Sequence, residues 1–191
     1  GVDGSGPGDL VIVDPVLHCD DCFYCNKNET HLCENGGLLG RDVDGVFAEY
    51  VLVPANNIFS LGSNIDPGVA PLIQVLTTVV HAQTRANIQP GEVVVVLGLG
   101  VTGLLQIQVA KALGAKTVIG VSRNSYKRAL AKTMGADETS EHGEAAKLKV
   151  LQQTEGRGAD VVIEAVGYIS VLAEAMDISR TGGRIIPFGI Y

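Results

Sequence analysis

Tryptophan is absent from this 191-residue sequence, aromatic residues make up only 5%, and cysteine is confined to positions 19 to 33. With few aromatics, packing falls to aliphatic side chains. Together with 24 glycines and 46% hydrophobic residues, this is the texture of an α/β protein with many strand-to-helix turns. No signal peptide and no transmembrane run is visible, so no membrane partner is expected and the cytoplasm is the expected compartment. Cations are scarce in the first third: residues 1–68 hold Lys27 and Arg41 against eleven acidic residues, a net −9, while the remainder is +2. That imbalance excludes a nucleic-acid partner, which would require clustered basic residues. An initiator methionine is also missing. The chain opens on a glycine-rich turn, Gly1 to Leu10, and ends on Tyr191 directly after a strong strand, so it reads as a segment of a longer protein.

All four cysteines, Cys19, Cys22, Cys25 and Cys33, lie within the run Cys-Asp-Asp-Cys-Phe-Tyr-Cys and a seven-residue gap beyond it. Four soft thiolates brought around one point suit a tetrahedral Zn²⁺, and no further ligand type stands at suitable spacing, which argues for a closed structural site. Two disulfides are the alternative, although three cysteines at successive three-residue spacings fit a shared ion better than separate bridges. A redox Cys-x-x-Cys is a weaker rival, because its surroundings, Asn26 to Glu29, are turn-like.

Short alternating runs at 10–13 and 47–53 predict β-strands in the first part, the second ended by Pro54. After Asp66-Pro67-Gly68 an apolar stretch over 69–86 predicts a helix with Pro67 in its first turn, and a domain boundary falls there. From Glu92 onward the pattern alternates: strands at 93–97, 117–121, 160–165 and 184–188, helices at 102–113, 125–134, 144–153 and 169–179. Alternation with short connections implies right-handed crossovers and a parallel sheet, and the nearly all-apolar strands suit burial on both faces.

Gly98-Leu99-Gly100-Val101-Thr102-Gly103 follows the first of those strands and opens a helix. Gly98 permits the tight turn, Gly100 lets the backbone approach a pyrophosphate, and Gly103 lets the helix lie against the strand, with the helix N-terminus aimed at the phosphates. At the end of the next strand an NAD site wants an acidic residue, yet the chain reads Ser122-Arg123-Asn124. Arg123 offers a guanidinium to a 2′-phosphate, Ser122 a hydroxyl, and Lys127 or Arg128 a further charge one turn on, so NADP(H) is expected and NAD(H) is the alternative. The plainer account makes Arg123 a solvated strand-end residue. The turns at Gly167 and Gly189 end the later strands and are expected to border the adenosine and nicotinamide halves respectively.

Taken together, the cysteine run, the phrase Gly45-Val46-Phe47-Ala48-Glu49-Tyr50 with Val53-Pro54 after it, and the glycine fingerprint resemble the medium-chain, zinc-containing alcohol dehydrogenase family, in the family's order and over the whole chain. The resemblance implies part of a β-rich GroES-like (chaperonin-10-like) catalytic domain with a structural zinc lobe over residues 1–66. It also implies a Rossmann doubly wound domain, incomplete at its C-terminus, over residues 67–191. A second, catalytic zinc would polarise the alcohol oxygen, a role that needs three protein ligands and an open position. Family members supply most of these ligands upstream of this segment, which alone is expected to be inactive. The remaining ligand is normally a Cys or Glu at the end of the stretch matched by Ala70-Pro71-Leu72-Ile73-Gln74; Gln74 stands there, and a neutral amide is a poor zinc ligand. Thr78 matches the family threonine that touches the nicotinamide ring.

His81 shares a helical face with Gln74 and Thr78 and is either a proton carrier or ligand or, more simply, a packing histidine. His18 and His31 read as loop residues of the zinc lobe, and His142 as part of a polar surface stretch. The expected activity is NADP(H)-dependent hydride transfer to or from a small alcohol, polyol or carbonyl substrate, in a homo-oligomer, dimer or tetramer, when full length. A zinc-independent enone or quinone reductase of the same fold is the first alternative, supported by Gln74. A non-catalytic NADP(H)-binding sensor or structural protein is the second.

Overall fold

The computed structural model describes residues 6–191, so the first five residues of the glycine-rich opening lie outside the described residues. The chain divides into two compact units between Gln74 and Val75.

Unit one is built from small antiparallel ladders. Strand β1 (Val11–Val13) pairs with β4 (Ile58–Ser60), and β2 (Val16–Leu17) with β3 (Gly37–Leu38). Asn57 stitches the corner between them: its backbone carbonyl accepts from Asp14 N at 2.8 Å, and its buried Nδ2 donates to the carbonyls of Asp14 and Val16 at 2.8 and 2.7 Å. Among the described residues of this unit only Asn57 and Ala70 are buried, so hydrophobic burial contributes little to its folding.

The strand predicted at 47–53 does not form. Those residues are bends and coil, Phe47, Tyr50 and Leu52 are almost wholly exposed, and among the described residues no strand pairs with them. Alternating hydrophobicity marks a possible sheet face, but a strand also needs a neighbour for its backbone groups. The ladder partner of β1 is instead the segment after Pro54. The helix expected from 69 begins later as well, as α1 (Leu72–Ala86). Asp66 diverts the chain into a turn first, its Oδ1 accepting from Gly68 N at 2.7 Å and its carbonyl from Val69 N and Ala70 N. Pro71 then restricts Ala70 and lacks an N–H, so the regular ladder starts just after it.

Unit two is a five-stranded, all-parallel sheet. In chain order it contains β5 (Val93–Leu97), α2 (Val101–Ala112), β6 (Thr117–Val121), α3 (Ser125–Thr133), β7 (Glu138–Ser140), α4 (Glu144–Gln153), β8 (Ala159–Glu164), α5 (Ile169–Ile178) and β9 (Ser179–Pro187), with strand order β7-β6-β5-β8-β9. Alternate residues of β5 feed two cores. Val94 and Val96 pack with Ala86 of α1, Ile107 and Ala110 of α2 and Ala131 of α3. Val93, Val95 and Leu97 pack with Ala146 and Val150 of α4 and Ala175 and Ile178 of α5. Each fully buried Val, Leu or Ile among these contributes roughly 1.5–3 kcal/mol, and each alanine less. This double winding carries the order of β5, β6, β7 outward on one side and β8, β9 on the other, leaving the crevice where the order reverses, at the carboxyl end of β5.

Two elements depart from expectation here. The edge strand β7 is short and polar (Glu138-Thr139-Ser140), so it carries no hydrophobic signal. Strand β9 begins at Ser179, earlier than predicted, because a register shift between Ala159 and Val161 lets the Gly182-Gly183 pair bulge before pairing resumes at Arg184. Polar anchors close the structure. Arg184 Nη1 donates to the carbonyls of Ala86 and Asn87 at the end of α1, while its Nη2 pairs with Glu92. The buried Gln83 of α1 donates from Nε2 to the Gln106 carbonyl of α2 at 2.7 Å.

At the amino end of the sheet, Asp160 accepts from Val93 N at 2.8 Å and from Arg180 Nε at 2.6 Å, tying β8 to β5 and β9. Burial pushes its carboxyl up, but the Val93 N–H and the Arg180 guanidinium outweigh burial and hold it below the usual carboxylate range. A depressed folded-state pKa gives stability that is complete above the unfolded value of about 4 and is lost as pH falls through the folded value. Asp160→Asn should cost about 1–3 kcal/mol at neutral pH. In urea titrations the gap between variant and wild type should close as pH falls below about 4; a gap that stays constant would mean that the charge of Asp160 contributes nothing.

Candidate functional site

The four thiols converge in unit one. Loop residues with left-handed backbone, Asp20 and Asn28 (each φ 60°), turn the chain between them, a conformation these side chains tolerate better than most. Sulfur separations are 3.5 Å for Cys19 to Cys33, 3.9 Å for Cys22 to Cys33 and 4.0 Å for Cys19 to Cys25, and all four sulfurs lie within 4.8 Å of one another. A tetrahedron with Zn–S bonds of about 2.3 Å has edges of about 3.8 Å, so the set fits one zinc ion. All four cysteines are free, at spacings far beyond the roughly 2.05 Å of a disulfide, which removes the paired-disulfide alternative.

Backbone amides already face the sulfurs. The N–H groups of Asp21 and Cys22, then the Cys33 thiol and Asn35, pull Cys19 down to about 6, while burial first and the neighbouring thiols of Cys22 and Cys33 next push Cys25 up to about 12. Crowded sulfurs cannot all ionise alone, and a divalent cation removes that conflict.

In unit two the glycine turn sits at the reversal point of the sheet. Gly98 has φ +96°, with its N–H bonded to the Val121 carbonyl at 2.9 Å. A side chain at Gly103 would collide with the Gly98 carbonyl, so α2 can lie this close to β5 only with glycine there. Around Gly100, by contrast, a Cβ would meet nothing within 4 Å, and no side chain caps the α2 N-terminus that this residue begins. Leu99 is buried, whereas Val101 is exposed and Thr102 only partly buried. The first-turn N–H groups of α2 therefore open onto unfilled space, a geometry suited to an anionic diphosphate.

At the end of β6, Ser122 is buried and its Oγ accepts from Asn124 N at 3.2 Å, while Asn124 Oδ1 caps α3 by accepting from Lys127 N at 3.0 Å. Arg123 is exposed and no described residue pairs with its guanidinium; Lys127 is exposed too. Arg128 differs from the expectation of a spare charge: Nη1 donates to the Ser122 and Arg123 carbonyls, and Nη2 lies 3.0 Å from Glu141.

Gly167 and Gly189, expected to lie apart, come together: their backbones are in contact, a side chain at either would strike the other turn, and both lie across β5 from β6. The cause is Glu164, a wholly buried carboxylate that sequence reading passed over, although a single charge between the apolar Val161-Val162-Ile163 and Ala165-Val166 was a visible signal. Its Oε1 accepts from Val166 N and Gly167 N at 2.8 and 3.0 Å, its Oε2 from Tyr191 OH at 2.5 Å, and its backbone carbonyl from Phe188 N and Gly189 N. Burial, then that carboxylate, push the Tyr191 phenol up to about 12.

On α1, Gln74, Thr78 and His81 are all exposed; Thr78 Oγ1 donates to the Val75 carbonyl at 2.7 Å. His142 is not a free surface residue either. It is half-buried, with Nδ1 2.7 Å from Glu174 of α5. Among the described residues no helix is long and apolar enough to cross a membrane.

The sequence model of the alcohol dehydrogenase GroES-like domain matches residues 1–63, and that of zinc-binding dehydrogenases matches residues 101–191. L-threonine 3-dehydrogenase of Bacillus subtilis (strain 168) is 38% identical over 179 residues, covering 93% of this chain and 51% of that protein. A zinc-binding dehydrogenase from Sinorhizobium meliloti 1021 bound to NADP is similar with a TM-score of 0.90 at 33% identity, over 98% of this chain and 56% of its own. Galactitol-1-phosphate dehydrogenase from Escherichia coli gives a TM-score of 0.89 at 32% identity, over 100% of this chain and 55% of its own. The chain spans about half the length of these relatives. Both halves of the sequence lead to one assignment: the chain belongs to the zinc-containing, medium-chain alcohol dehydrogenase family.

Proposed function

We propose that this chain is the structural-zinc and dinucleotide-binding part of an NADP(H)-dependent oxidoreductase that moves a hydride between nicotinamide and a small alcohol, polyol or the corresponding carbonyl compound. The observation that carries the reading is the pairing of an uncapped α2 N-terminus at Gly100 with an unpaired, exposed Arg123 at the neighbouring strand end. Residues Gly98 to Gly103 would hold the diphosphate, with Leu99 anchoring the turn in the core. Arg123, beside Ser122 and Lys127, would receive a 2′-phosphate, for which a planar fork of donors is well matched. Gly167 and Gly189 would line the nicotinamide side, with Thr78 against the ring, and the bound nicotinamide would supply or accept the hydride.

Cys19, Cys22, Cys25 and Cys33 would hold a structural zinc that organises a lobe with almost no apolar core of its own. The relatives named for L-threonine and galactitol-1-phosphate support a hydroxyl-bearing small molecule as substrate, and the NADP-bound relative supports the cofactor. The proposed setting is a cytoplasmic dimer or tetramer, and the proposed domains are a partial GroES-like domain over 1–66 and a Rossmann domain over 67–191. Gln74 favours a second reading, a reductase of the same fold without catalytic metal, since an amide binds zinc poorly. Turnover that survives removal of weakly bound metal would select it.

In the full-length protein, titration by NADPH fluorescence should show tighter binding than NADH, and Arg123→Ala should weaken NADPH roughly tenfold while leaving NADH nearly unchanged. Equal loss for both cofactors, or none, would defeat the NADP(H) assignment. Metal analysis should find one zinc held by the four thiolates. Cys33→Ser should release it and unfold unit one while NADPH still binds at β5; retention of zinc by the variant would rule out this site.

A further inference from the structure

The loop after β6 is unusually constrained for a surface turn. Ser122 N donates to the Ser140 carbonyl of β7 at 3.0 Å, and Asn124 N donates to Ser122 Oγ. Arg128, one turn into α3, folds its guanidinium back under the loop. Nη1 donates to the Ser122 carbonyl at 2.7 Å and the Arg123 carbonyl at 3.0 Å, and Nη2 lies 3.0 Å from Glu141 Oε1. The Arg128 side chain is 20% exposed, in contrast with the open Arg123 and Lys127 that precede it.

Two consequences follow from that geometry. One planar cation holding two successive carbonyls fixes the peptide planes on both sides of the Arg123 Cα, and so fixes the direction in which its side chain leaves the backbone. The same contacts occupy the negative ends of two carbonyl dipoles at the strand terminus, which would otherwise face any anion placed there. Nη1 is taken up by the two carbonyls, and Nη2 faces the exposed carboxylate of Glu141.

We propose that Arg128 is a positioning residue that determines cofactor specificity: it orients Arg123 and screens the strand-end carbonyls so that the loop accepts a 2′-phosphate, without touching the phosphate itself. The inference rests on the NADP(H) reading above. Its chemistry separates it from that reading, because Arg123 would bind the phosphate and Arg128 would only set the backbone that presents it.

The test is NADPH and NADH binding by the full-length protein with Arg123→Ala, Arg128→Met and Arg128→Lys, alongside thermal melts and titrations at low and high salt. Arg128→Met is expected to weaken NADPH roughly tenfold and NADH by less than about twofold. Arg128→Lys should fall between, since an ammonium cannot fork to two carbonyls and a carboxylate together. The salt dependence of NADPH binding should flatten in Arg123→Ala and persist in Arg128→Met, because only the former loses a phosphate contact.

Equal weakening of both cofactors by Arg128→Met would reduce Arg128 to a structural role and overturn the proposal. So would unchanged NADPH binding in Arg128→Met beside a loss in Arg123→Ala, an outcome that leaves the NADP(H) reading intact. A flattened salt dependence in Arg128→Met would make it a direct phosphate ligand and overturn the positioning role. Unchanged binding in Arg123→Ala would sink both readings. If Arg128→Met fails to fold, Arg128→Lys decides: an unaltered NADPH-to-NADH ratio there overturns the proposal.

Discussion

The close approach of α2 to the end of β5 is the constraint on which unit two depends. The Gly98 carbonyl occupies the space that a side chain at residue 103 would need, and Gly98 itself must turn through a positive φ to bring it there. With both conditions met, Leu99 drops into the core, Ile107 and Ala110 reach Val94 and Val96, and the first turn of the helix is left facing open space at Gly100. Packing and ligand geometry are thus one requirement: the same van der Waals contact that seats the helix aims its N-terminus.

The two units are held by different physics. In unit two, aliphatic layers on both faces of a parallel sheet supply the stabilisation, with polar anchors at the ends: Asp160 at the amino edge, Glu164 at the carboxyl edge, Arg184 at the close of α1. Unit one has two short ladders and almost nothing buried, so its cysteine cluster takes the place of a core. The charge distribution agrees, since a strongly acidic lobe with four thiols gains more from a divalent cation than from further burial.

Glu164 and Arg128 act alike at opposite sides of the crevice. Each is a charged group largely withdrawn from water, and each spends two hydrogen bonds or more on backbone groups of the turns that face the cleft, beside one side-chain partner. Such bonds make the cleft rigid before any ligand arrives, which reduces the ordering cost of binding. Buried charge here organises backbone.

Much of this was legible in the residues. The buried strands from Val93 and Thr117 and the helices from Ser125 and Glu144 announce themselves through unbroken apolar runs or 3.6-residue periodicity, and Cys19 to Cys33 announce a metal through spacing alone. What escaped was set by neighbours distant in sequence. Phe47 to Leu52 alternate like a strand, but no adjacent ladder exists among the described residues; Glu138 to Ser140 lack any hydrophobic signal, yet β6 offers them a ladder. The sequence by itself determined the alternation of strands and helices around a parallel sheet, the thiol set and the glycine turn, because these follow from local periodicity and steric rules. Only the tertiary structure decided that Gly167 and Gly189 touch, that Glu164 latches them and that Arg128 is committed to carbonyls, because a hydrogen bond is chosen by whichever partner the fold brings within reach.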